Sequence, residues 1–139
     1  MKNMIKRVIA VAMVCVMALS VAALAAEQAS DYISAKGGGI IPTGGGEMVI
    51  EFSVIATGMM DELGASSVYI YNEDDVLEDS IHCTDPGCSD MMTTDDYSWD
   101  GEVYWEGVSG ERYYAVITFY AKDSTGDDYR SYTTSTVRV

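Results

Sequence analysis

Basic residues are scarce in this chain: 8 Lys and Arg stand against 22 Asp and Glu, a net charge of −14 at pH 7. A polyanion of that kind repels phosphate backbones and anionic lipid, which argues against nucleic acid or an anionic membrane as partner. Histidine is limited to His82. With Cys83 and Cys88 it falls short of the four ligands of a structural zinc site, and the C-x-x-C spacing is missing. A nucleophile–His–acid relay would have to use His82, and no Ser-containing elbow lies near it. The glycine runs 37–39 and 44–46 are not followed by the Lys-Ser/Thr of a phosphate-binding loop, so they read as a flexible lead-in and a turn. The two prolines, Pro42 and Pro86, fall between apolar segments and oppose no strand.

One long apolar run is present, Val8 to Leu24. Lys2, Lys6 and Arg7 precede it and it ends on Ala23-Leu24-Ala25. A basic start, an apolar stretch and a small-residue exit describe a secretory signal peptide. The expected organisation is therefore a leader at 1–25 and a single domain at 26–139, secreted to the extracellular side. Cys15 lies inside the apolar run behind Val14, so no lipid is expected on it. The last residues, TTSTVRV, carry no apolar tail, and no membrane anchor is expected once the leader is removed. All 22 acidic residues but only 5 basic ones lie beyond the leader, which makes the exported part −17.

In an oxidising compartment, an even pair of cysteines is most simply a disulfide. Cys83 and Cys88 flank Thr-Asp-Pro-Gly, whose Asp, Pro and Gly each favour a turn. The expected Cys83–Cys88 bridge is a local staple, stabilising by about 2 kcal/mol on the loop-entropy argument.

Helical periodicity is rare and period-two alternation is common. Met48, Ile50, Phe52, Val54 and Ala56 share one face of an extended segment. Val68 and Ile70 alternate with Tyr69 and Tyr71. Trp99, Gly101, Val103 and Trp105 alternate with Asp100, Glu102 and Tyr104. Tyr113, Ala115, Ile117, Phe119 and Ala121 alternate with Tyr114, Val116, Thr118 and Tyr120. Shorter strands are expected at 31–36 and 76–81, and a last one between 128 and 139. DSTGDD, residues 123–128, reads as a hairpin turn. Met59–Ala65 is the one helical candidate, a single turn ending at Gly64. About seven short antiparallel strands predict an all-β, immunoglobulin-like or fibronectin type III-like sandwich, with a small closed barrel as the alternative.

The segment GVSGERYYAVITFYAKDSTGDDYRSYTTSTVRV resembles the last two strands of a fibronectin type III-like domain, with Tyr113 at the position of the corner tyrosine. FSVIATGMMDELGASSVYIY together with RYYAVITFYAKDSTGDDYRSYTTSTV is similar to a family of small uncharacterised secreted proteins of anaerobic Gram-positive bacteria. The resemblance implies an exported bacterial single-domain protein and brings no assigned activity or site.

Three sets of residues are candidates for function. Asp95, Asp96 and Asp100, grouped with Asp85 and Asp90, and the hairpin residues Asp123, Asp127 and Asp128 could supply oxygen ligands to calcium, though no EF-hand spacing is present. The carboxylates between Asp90 and Asp100 could serve a hydrolase. Tyr69, Tyr71, Tyr114, Tyr120 and Tyr132 would form an aromatic face suited to a glycan or a protein, or would simply pack across strands. The function expected is a non-enzymatic extracellular binding module without a cofactor. A structural subunit of an extracellular assembly, using an exposed edge strand, is the second reading.

Overall fold

The computed structural model describes residues 29–139; the expected leader lies outside them. Seven strands follow in order: β1 (Ile33–Gly44), β2 (Glu47–Asn72), β3 (Leu77–His82), β4 (Met92–Glu106), β5 (Arg112–Asp123), β6 (Gly126–Thr133) and β7 (Val137–Arg138). A 3-10 turn at Ser89–Met91 leads into β4. All pairings are antiparallel and belong to one hydrogen-bonded sheet.

That sheet is organised by β2, a strand of 26 residues. Its first half pairs with β1 and β4, and its second half with β5 and β3. Between the halves the β2–β4 ladder skips from Ile55 to Met60, and a second irregularity separates Ala65 from Ser67. Each bulge bends the strand and raises its twist. The sheet therefore curls, and its two halves close over one core. Phe52 of the first half meets Phe119 of β5 edge-on, ring centres 6.3 Å apart.

The core follows the alternation read from the sequence. Met48, Ile50, Phe52, Val54 and Ala56 are buried, as are Val68 and Ile70, and Tyr113, Ala115, Ile117, Phe119 and Ala121. Met60, Leu63 and Ala65 join them from the bent part of β2. The inward set changes from even to odd numbers there and back again, because each bulge flips the face.

Several expectations are corrected. Residues 59–65 are strand, not helix; Leu63 and Ala65 face the core and Glu62 pairs with both β4 and β5. Gly37–Gly39 are not a lead-in but the middle of β1, opposite Ser53, Phe52 and Glu51. Gly45 and Gly46, at φ 65° and 89°, form the two-residue hairpin turn to β2, a conformation that favours glycine. β4 begins at Met92, well before Trp99.

Candidate functional site

β3 and β4 lie on the same side of β2 but pair with different stretches of it, and each pairs with β2 alone among the described strands. β3 has only 6 residues, so the margin of the curled sheet stays open between them. The result is a groove of about 790 Å³, within the usual range for ligand sites. Ile81 of β3, Met91 of the 3-10 turn and Val103 of β4 give it an apolar lining. Its aromatic walls are Trp99 and Trp105, the chain's two tryptophans, both half-buried.

Each indole is fixed by its own N–H. Trp99 Nε1 donates to the Asp90 carbonyl at 2.8 Å, and Trp105 Nε1 donates to Asp79 Oδ2 at 3.0 Å. Trp105 also packs edge-on against Tyr113, centres 5.0 Å apart. Half-buried rings with satisfied N–H groups present rigid apolar area that loses little freedom on binding. The groove's charge is of one sign. Asp79, Asp85, Asp90, Asp100 and Glu102 line it, and no Lys or Arg among the described residues does.

The turn below the groove holds His82, Cys83 and Cys88. Asp85 Oδ2 accepts the His82 N–H at 2.8 Å, Asp85 N–H donates to the His82 carbonyl, and Cys88 N–H donates to the Asp85 carbonyl. The His82 ring stands edge-on to Tyr69, centres 5.9 Å apart. The expected disulfide is not formed: Cys83 and Cys88 are free, half-buried thiols packed against the core margin. The turn closes through the Asp85 carboxylate and backbone bonds, so its shape does not require the bridge.

The tyrosine face is partly as expected. Tyr71 of β2 stacks on Tyr114 of β5, centres 5.2 Å apart and planes at 11°. Tyr114 Oη donates to Asp75 at 2.8 Å, and this bond chiefly raises the phenol pKa. Tyr120 packs against Tyr129 with centres 4.6 Å apart and planes tilted by 33°. Burial first, then its bond to Asp127, pushes Tyr120 up to about 12. Tyr132 does not belong to this face. It pairs with the inward-facing Ile117 and packs against the core, while Tyr129, opposite Tyr120, takes the outer position. The outer tyrosines are thus engaged with each other and with acids, the cross-strand packing that stabilises an exposed sheet.

Of the aspartates named as calcium candidates, Asp96, Asp123 and Asp127 serve local structure. Asp123 accepts Thr125 N–H and Oγ1–H within the β5–β6 turn, which lowers its pKa. Asp127 accepts Tyr120, and Asp96 accepts Tyr97 and Ser98 N–H. Asp95 sits at φ 54°, and Asp100 is exposed opposite Ser53. Among the described residues no group of three His, Cys, Asp or Glu side chains is placed to hold a metal ion.

The groove itself escaped sequence reasoning. Its available signal was the placement of both tryptophans on one face of one strand. Comparison with family models, with curated proteins and with solved structures found no match to this chain.

Proposed function

We propose that this chain is a secreted, non-enzymatic bacterial binding module, and that the groove between β3 and β4 receives its extracellular ligand. The observation that carries this reading is the pair Trp99 and Trp105, held by their own N–H bonds on the walls of an open groove. Rigid aromatic walls with polar groups around them are what ligand sites use for area and orientation. The tyrosine face is a weaker site, because its rings are packed against one another.

The proposed build is immunoglobulin-like and close to fibronectin type III, within the small secreted family that the chain resembles. Two features support it. The halves of the curled sheet meet through Phe52 and Phe119. The buried Tyr113 hydroxyl accepts the Val108 N–H at 2.9 Å, a bond to backbone a few residues upstream as in a tyrosine corner. The binding role is tested by presenting the protein to extracellular glycans and peptides and following tryptophan emission. Saturable change with at least one ligand class is expected. Unchanged emission with every class would refute the reading.

A further inference from the structure

We infer that the groove's ligand is an extended basic peptide, added alongside the free edge of β4 with Lys or Arg side chains entering the groove that Trp99 and Trp105 line. The inference rests on the binding role proposed above and adds the chemistry of the occupant.

Three observations carry it. The first is charge. Asp79, Asp85 and Asp90 line the groove with the two indoles, Asp100 and Glu102 project from the other face of the same β4 edge, where they pair with the exposed Ser53 and Glu51, and no described basic side chain lines the groove. A cation entering there gains from the carboxylates and from the indole face nearest to it, and tryptophan is the strongest side-chain partner for a cation. The second is backbone. β4 runs for 15 residues, pairs with β2 alone among the described strands and contains neither Pro nor Lys, two common guards of an open edge. An edge of that length can pair with an added strand, whose main-chain bonds give affinity and whose alternate side chains enter the groove. The third observation excludes a second copy as occupant. β4 carries Asp95, Asp96, Asp100, Glu102 and Glu106, so two such edges would bring like charges together. A strand rich in Lys or Arg turns the same charges into attraction.

The test uses the whole protein, because its two tryptophans both report on this groove. Emission is followed during titration with a short strand-forming peptide of alternating Thr and Lys, with its Thr–Glu counterpart, and with a neutral chitin oligosaccharide. The Thr–Lys peptide is expected to saturate the signal. Its affinity should fall about fivefold or more as salt rises from about 50 to about 500 mM. The Thr–Glu peptide should not bind. Asp90→Asn with Asp100→Asn, whose side chains anchor neither indole, should weaken the Thr–Lys peptide about five- to tenfold and leave the unliganded emission unchanged. Equal binding of both peptides, or an Asp90→Asn/Asp100→Asn variant of unchanged affinity, would overturn the inference. Saturation by the oligosaccharide alone would overturn it while leaving the binding role intact. No response to any of the three would overturn both.

Discussion

Gly38 of β1 lies directly over Ile117 of β5: a Cβ added at Gly38 would stand 2.5 Å from Ile117 Cδ1 and 2.7 Å from the Glu51 carbonyl oxygen. The two halves of the curled sheet approach closely enough there that no side chain fits between them. Gly38→Ala should destabilise by about 1–3 kcal/mol, the usual range for overpacking, because the Glu51 backbone cannot yield as a side-chain tip can. Gly39→Ala is the control, since its Cβ would meet nothing within 4 Å. Urea denaturation of the two variants should separate them clearly. Equal midpoints would mean that the halves do not close at this point.

Thr134 is buried and substitutes for a missing ladder partner. Ala115 N–H donates to Thr134 Oγ1 at 3.0 Å, and Thr134 N–H returns a bond to the Ala115 carbonyl at 2.9 Å. Thr134→Val keeps the shape but leaves a buried N–H unpaired, at a cost of about 1–3 kcal/mol. Thr134→Ser should recover most of that loss. Thermal melts of the pair check it, and a Val variant as stable as wild type would contradict the assignment.

Asp128 ties the start of the described chain to β6. It accepts the Ser30 hydroxyl and the Arg130 guanidinium, the latter at 2.9 Å, and both hold its carboxyl below the usual range, Ser30 most strongly. Because the folded-state pKa is the lower one, this stabilisation is complete above the unfolded value of roughly 4 and disappears as pH falls through the folded value. Asp128→Asn should cost about 1 kcal/mol at neutral pH, allowing for solvent screening of a partly exposed pair. It should also flatten the acid limb of the stability curve below about pH 4, leaving the contribution of Asp123, which is lowered in the same sense. Stability measured against pH for both proteins decides this. Parallel acid limbs would rule the link out.

The extended character and the core faces were legible wherever one face was apolar and the other polar, as in Met48–Ala56 and Tyr113–Ala121. They were not legible where that contrast fails. Gly37–Gly39 offer no side chains to alternate, and their strand state is set by β2 beside them. Thr93–Ser98 is polar on both faces apart from Tyr97, so the alternation that marks a strand starts only at Trp99 although β4 starts at Met92. Met59–Leu63 mimicked a helical turn because bulges in β2 break the period of two. Tyr132 falls on the inner face, not the outer one, because the register of the β5–β6 hairpin, with Asp123 opposite Gly126, places Tyr129 against Tyr120 and Tyr132 against Ile117. The two tryptophans were legible as one face of β4. That they wall a groove depends on the shortness of β3 and on the shared length of β2, which only the folded chain displays.

The central claim is that ligand enters between β3 and β4 and not at the tyrosine face. Amide hydrogen exchange of the whole protein, with and without saturating Thr–Lys peptide, tests it most directly. The account predicts slowed exchange along β4 from Trp99 to Trp105 and no change around Tyr71 and Tyr114, with Tyr71→Ala binding the peptide as wild type does. Protection confined to the Tyr71–Tyr114 face, or affinity lost in Tyr71→Ala, would contradict it.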